Sequence, residues 1–235
     1  MIGYYDYTVV LTYLSLLSGS MGIIVCLSGI GHPFIGIFFL MFSGLCDTFD
    51  GKVARMKKNR TREEMNYGIQ IDSLADMVAF GVLPPCVGVA MLRVSSVFTY
   101  IPRMRPTEMG DKRVLYPIFL ICICLFYVLT ALIRLAYFNV MEEERSQKEE
   151  GARTAYVGLP VTSSALIFPT VMLVQYLTRG DLTLLYFGVM LITASLFISK
   201  IQVPKPHQKS LYLLLGIGAL EFLWLLLIKY HFWKA

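Results

Sequence analysis

Seven long apolar runs, at about 8–29, 33–52, 73–99, 114–138, 160–178, 182–200 and 210–230, dominate this chain and decide what it can fold into. Runs of about 20 apolar residues match the hydrocarbon thickness of a bilayer when helical. A helix also satisfies its backbone polar groups internally, as lipid requires. The 235 residues are 56% hydrophobic and only 16% charged, and the mean hydropathy is +0.63. That balance excludes an ordinary soluble domain. The expected fold is an all-α integral membrane protein, a polytopic helical bundle. Residues 1–7 (MIGYYDY) lack the basic start of a cleavable leader and the first run has full spanning length, so that run is expected to stay. Cys26, Cys46, Cys86, Cys122 and Cys124 all lie within apolar runs. They are read as small hydrophobes, with no disulfides expected.

The formal net charge is +5. Its Lys and Arg residues fall in short segments between runs, where they act as topology signals and headgroup contacts rather than as a nucleic-acid surface. If the segment after the second run is cytoplasmic, that side carries twelve of the 21 basic residues and the other side eight; Arg134 lies within a run. The bias turns the segment 47–76 toward the cytoplasm.

That segment carries the chemistry. Asp47 and Asp50 are three apart at the end of the second run, and Asp72 and Asp76 four apart at the start of the third. On helices each pair shares a face. The stretch MKKNRTREEMNY between them reads as a basic loop. Two like charges about 4 Å apart repel by about 1 kcal/mol in water and about 4 kcal/mol at an effective dielectric near 20, so four acids gathered in a membrane cleft need a cation. A donor set of carboxylates alone, without His or Cys, favours a hard divalent ion, Mg2+ or Mn2+. Gly51 and Ala54 leave room for a flat group beside the first pair, and Gly68 does so one turn before the second. Arg55 offers a guanidinium fork for phosphate oxygens; Lys57, Lys58, Arg60 and Arg62 are expected to face water and headgroups. Carboxylates with a cation beside such an arginine describe phosphoryl transfer between a hydrophobic and a water-soluble substrate. A cation transporter is the rival reading, but these acids sit at helix ends and not at the bilayer midplane.

Elsewhere the signals are weaker. Thr12, Ser15, Ser18, Gly19, Ser20 and Gly22 mark the first run for close helix contact. Pro84 and Pro85 should kink the third helix and free carbonyls for neighbours to satisfy. Arg134 is a charge within the fourth run and stands either in a site or at a snorkelling interface. Asn139 follows it, and Lys200 lies at the same membrane face as the acids. EEERSQKEE reads as a solvated helix end. Glu221 is an acid in the seventh run with no partner evident. His32, His207 and His231 lie far from the acids in sequence. Tyr212, Trp224, Tyr230 and Trp233 suit interfacial positions.

Asp47-x-x-Asp50-Gly51-x-x-Ala54-Arg55, twelve residues, then Gly68-x-x-x-Asp72-x-x-x-Asp76 resembles the complete signature of the CDP-alcohol phosphatidyltransferases. Within that family the chain most resembles the membrane-type phosphatidylserine synthase branch of bacteria and archaea, in IDSLADMVAFGVLPP, RLAYFN at 134–139, YVGLP at 156–160 and SKIQVP at 199–204. It departs in having Ser15 where many relatives have Asn, in lacking the Pro-Asn that often opens that helix, and in lacking a second proline after Gly-Leu-Pro. The resemblance implies a six-helix family core over 1–205 with an additional C-terminal helix over 206–235. It implies transfer of a phosphatidyl group from CDP-diacylglycerol, or an ether counterpart, to L-serine with release of CMP. Asp47, Asp50, Asp72 and Asp76 would hold two divalent cations, Mg2+ or Mn2+, and Asp76 would be the general base. Gly51, Ala54 and Gly68 would give the cytidine room and Arg55 would bind the diphosphate. Arg134, Asn139 and Lys200 are candidates for the serine carboxylate or lipid phosphate. The resemblance further implies a homodimer in the cell membrane with its active site facing the cytoplasm and no nucleic-acid partner. An enzyme for another alcohol, such as glycerol 3-phosphate or inositol phosphate, and a non-enzymatic cation-binding or transport protein stay open as alternatives.

Overall fold

The computed structural model describes residues 3–29, 32–96, 112–147, 155–178, 180–204, 216–224 and 226–227. Its elements in chain order are α1 (Val10–Ser28), α2 (Phe34–Met56), α3 (Arg62–Asp76), a π-helical stretch (Met77–Val82), α4 (Leu83–Val94), α5 (Lys112–Gln147), β1 (Ala155–Val157), α6 (Ser164–Thr178), α7 (Thr183–Phe197) and β2 (Gln202–Pro204). Among the described residues, five helical segments are long and apolar enough to cross a membrane: Tyr7–Ser28, Phe34–Met56, Arg62–Val94, Leu115–Glu144 and Val161–Thr178. The chain is an all-α multi-pass membrane protein whose only described strands form one short antiparallel pair.

Two expectations shift. The basic stretch is mostly helix, since α3 starts at Arg62 and leaves only 57–61 as the connection. Thr61 caps it: its hydroxyl accepts from the Glu64 amide at 3.1 Å, and the Glu64 carboxylate accepts from the Thr61 amide at 3.0 Å. This reciprocal box, Thr-x-x-Glu, nucleates the helix well before the apolar run begins. The sixth run forms a helix of only 15 residues, Thr183–Phe197. The seventh is helical over 216–224; most of 206–235 lies outside the described residues, as do the basic segments at 97–111 and 148–154 and the residues His207, Tyr212, Tyr230, His231 and Trp233.

Where a kink is expected, at Pro84 and Pro85, the structure has the π stretch Met77–Val82, directly ahead of the two prolines. Pro84 has no N–H to give the Phe80 carbonyl four residues back. Tyr127 on α5 supplies the donor instead, its hydroxyl reaching Phe80 O at 3.0 Å, and Tyr186 on α7 donates to Pro84 O at 2.9 Å. Both tyrosines are fully buried. Their rings pack with Phe168 at centroid distances of 5.7 Å and 4.9 Å, so the repair of a broken helix and the aromatic core are the same residues.

Small residues set the close crossings. A methyl group on Gly19 of α1 would lie 2.8 Å from the Ala79 Cα, so α1 and the π stretch meet backbone to backbone. Ser15 and Ser43 bind each other's carbonyls across α1 and α2, at 3.4 Å and 3.0 Å, and Ser18 donates to Phe39 O at 2.8 Å. Glu221 gains a partner: the Thr170 hydroxyl reaches its carboxylate at 2.6 Å. Phe222 stacks edge-on against Phe38 at 5.3 Å, which fixes the C-terminal helix onto α2 and α6.

Candidate active site

The last three turns of α2 and the last two of α3 carry the four acids. Asp47, Asp50 and Asp72 each bring an oxygen into a group whose members all lie within 4.8 Å of one another. Asp76 stands one turn beyond Asp72, 8% exposed at the junction with the π stretch and in electrostatic contact with the other three. Three carboxylate oxygens converging at that distance suit a hard divalent cation and nothing softer, since no His or Cys joins the group. The donor set therefore fits the metal the composition calls for. Thr12 on α1 donates to Asp50 at 3.4 Å, a contact the sequence reading had not singled out.

The other expected residues surround this group. On α2, Asp47, Gly51 and Arg55 follow at intervals of four and form one column. Arg55 is exposed, and its guanidinium leans over Gly51: its Nη1 is 3.5 Å from where a Cβ on that glycine would sit. Ala54 is half-buried beside it. On α3, Gly68, Asp72 and Asp76 form the facing column. There Arg60 differs from its expected place in water: its Nη2 is 2.7 Å from the Cβ position of Gly68, because the short connection turns it back along α3. Lys57 is likewise engaged, 2.8 Å from the Asp6 carboxylate and 3.0 Å from Glu64.

The residues at 134, 139 and 200 are brought to the same end in three different ways. Arg134, 6% exposed, donates through Nε to Leu159 O at 3.2 Å and lies 5.5 Å from the Phe138 ring centroid. It thus holds the Gly158-Leu159-Pro160 turn, where Gly158 adopts φ +78° and donates to Ile201 O at 2.7 Å. Any side chain at 158 would be strained in that backbone region and would press on Phe197 O, 2.8 Å from its Cβ position. Asn139 reaches α3: its Nδ2 donates to Ser73 Oγ at 2.8 Å, with Ser73 Oγ 3.1 Å from Asn139 Oδ1. Ser73 neighbours Asp72, so Asn139 orients the acidic turn through it. Lys200 is exposed beyond α7.

Over this cluster lies the N-terminal segment. Asp6 joins Lys57, the Tyr4 hydroxyl donates to Glu63 at 2.8 Å, and Tyr13 and Tyr67 share a hydrogen bond of 3.1 Å. The Lys57 ammonium holds the Asp6 carboxyl below the usual range. Asp6 foremost, and Glu64 with it, hold the Lys57 ammonium above its own.

The family model described as CDP-alcohol phosphatidyltransferase matches residues 8–199. Among curated proteins, the chain is 26% identical over 202 residues to the CDP-diacylglycerol–serine O-phosphatidyltransferase of Helicobacter pylori (strain J99), a match covering 84% of this chain and 73% of that one. It is 32% identical over 164 residues to the Saccharomyces cerevisiae protein of the same name, covering 67% of this chain and 50% of the relative. Against the Mycobacterium leprae protein, also so named, it is 29% identical over 204 residues, covering 85% of this chain and 58% of the relative. The chain thus spans about half the length of the yeast relative. No solved structure matches it.

Proposed function

The chain belongs to the CDP-alcohol phosphatidyltransferase family, and from that membership we propose that it is a phosphatidylserine synthase, transferring the phosphatidyl group of CDP-diacylglycerol to the hydroxyl of L-serine with release of CMP. The observation that carries this reading is the convergence of Asp47, Asp50 and Asp72 within 4.8 Å, between two glycine-and-arginine columns. The three named relatives share the serine-transferring description. Members of the family generally use divalent metals, and we assign Asp47, Asp50, Asp72 and Asp76 as the ligands of two, Mg2+ or Mn2+. Bound there, such ions offset the repulsion among the acids and polarise phosphoryl oxygens.

The chain's own residues do the remainder. Gly51, Ala54 and Gly68 leave room for the cytidine, and Arg55 forks onto the diphosphate. Asp76, buried at the junction with the π stretch, takes the proton from the serine hydroxyl. The freed oxygen bonds to the phosphorus that carries diacylglycerol, the bond from that phosphorus to the CMP oxygen breaks, and CMP leaves. Arg134 and Lys200 bind the serine carboxylate or the lipid phosphate, and Asn139 positions Asp72 through Ser73. We place the acid end at the cytoplasmic face of the cell membrane, in line with the basic-residue bias, and the protein as a homodimer.

Purified protein incubated with CDP-diacylglycerol, Mn2+ and separately serine, glycerol 3-phosphate or inositol phosphate tests the proposal. CMP should appear with serine. Release with another alcohol alone would reassign the substrate, and no release with any would remove the enzymatic reading.

A further inference from the structure

We propose that Arg60, which lies outside the family signature, is a second guanidinium for the diphosphate of the CDP-activated lipid, resting on Gly68 until the ligand arrives. This rests on the function proposed above. Arg55 stands over Gly51 on α2 and Arg60 stands over Gly68 on α3, so each wall of the cleft repeats one order: acid, glycine, guanidinium. The two arginines reach that equivalence differently. Arg55 belongs to the helix it covers, whereas Arg60 comes from the connection before α3 and folds back along it.

The seat of Arg60 is incomplete. Its Nε is buried and has no hydrogen-bond partner among the described residues, and its Nη2 makes one contact, to Glu64 O at 3.2 Å. The neighbouring acids make their hydrogen bonds elsewhere: the Glu64 carboxylate accepts from Lys57 and the Thr61 amide, and Asp6, though within electrostatic reach of Arg60, is paired with Lys57. A buried guanidinium donor without an acceptor is costly, while the single backbone contact that holds it is weak. A phosphate oxygen entering between the columns offers what the seat lacks, an anionic and fork-shaped acceptor. Turning Arg60 onto it also vacates the space above Gly68, where its Nη2 now lies closer to the Cβ position than real side chains come. One residue would thus fill the nucleotide's place when empty and grip its phosphates when full.

Titration of the purified full-length protein with CDP and with cytidine, in Mg2+ and in Mn2+, tests this. Arg60→Ala should weaken CDP binding about tenfold, the worth of one charge-assisted hydrogen bond, and leave cytidine binding unchanged. Arg60→Lys should fall between, since an ammonium cannot fork. Arg62→Ala, two residues along and exposed, should bind both as the unaltered protein does. The proposal is overturned if Arg60→Ala and Arg60→Lys bind CDP normally, or if both lose cytidine and CDP by the same factor, which would mean a packing role. Failure of the unaltered protein to bind CDP in either metal overturns this and the proposed function together. Normal CDP binding without CMP release from any alcohol overturns the reaction alone, since the Arg60 comparison is read from binding.

Discussion

The two ends of the bundle treat their acids in opposite ways. At the far end, Asp181 accepts from Ser95 Oγ at 2.6 Å, Ser96 Oγ at 3.0 Å, the Thr183 amide at 3.1 Å and Thr183 Oγ1 at 2.6 Å. Beside it Arg93 binds the closing carbonyls of α1, Cys26 O at 3.0 Å and Leu27 O at 3.2 Å. At the other end four carboxylates are gathered, and among the described residues the side-chain donor from outside the group that reaches them is the Thr12 hydroxyl, on Asp50 at 3.4 Å. An acid supplied with donors on every side ties helices together. A group of acids left short of donors, and close enough to repel, is held for a ligand.

Substitutions should separate these roles. The largest effect is expected at Asp76→Asn, which should abolish CMP release, a loss of at least the hundredfold to ten-thousandfold that a general base supplies, while CDP-lipid binding in the presence of Mn2+ stays measurable. Normal turnover would move the base elsewhere. Asp181→Ala should do the reverse. It strands the buried hydroxyl of Thr183 and should cost about 1–3 kcal/mol of stability, read as a lower unfolding temperature in detergent with kcat retained. If activity collapses before stability does, the two ends are not independent.

Tyr127→Phe sharpens the comparison from the middle of the bundle. It removes one oxygen and leaves the Phe80 carbonyl without the donor that replaces Pro84's missing N–H. The expected cost is about 1–3 kcal/mol, measured by thermal unfolding, and the same substitution at a lipid-facing tyrosine such as Tyr137 should cost little.

The smallest effect belongs to the N-terminal clasp. The folded Asp6 carboxyl titrates below its ordinary value, so its contribution is complete above about pH 3.9 and fades as the pH drops through the folded value. The Lys57 ammonium titrates above its ordinary value, so its share is complete below about pH 10.4 and fades as the pH rises through the folded value. Hydrogen exchange of residues 3–9 should be level through neutrality once corrected for intrinsic rates, and speed up only at the acid and alkaline extremes. A step near pH 6.5 would point to a histidine instead.

How much of this was legible in the sequence follows from how local each signal is. The acidic columns are read from spacings of three and four along single helices, and the spans from apolar length. The start of α3 was legible in Thr61 and Glu64 but was masked by the basic residues around them, which read as loop. Arg60 was expected in water and folds back instead, because nothing in its neighbours tells which way a guanidinium in a short connection turns. Asp181 with Ser95, Asn139 with Ser73 and Thr170 with Glu221 join residues 86, 66 and 51 apart. Such pairs exist only once the helices are packed. Glu221 in particular looked partnerless because its donor, a threonine, is unremarkable in an apolar helix.

The 15 residues of α7 have one further consequence. At about 1.5 Å per residue they span about 22 Å, short of the roughly 30 Å of a hydrocarbon core. Thr183 ties the start of this helix to Asp181 at the far end, and its other end stops beside Gly158 and Arg134. A leaflet meeting a wall that is too low dimples inward. A lipid bearing a large polar headgroup would find the dip already made, and could bring that headgroup down to the acids without leaving its own leaflet.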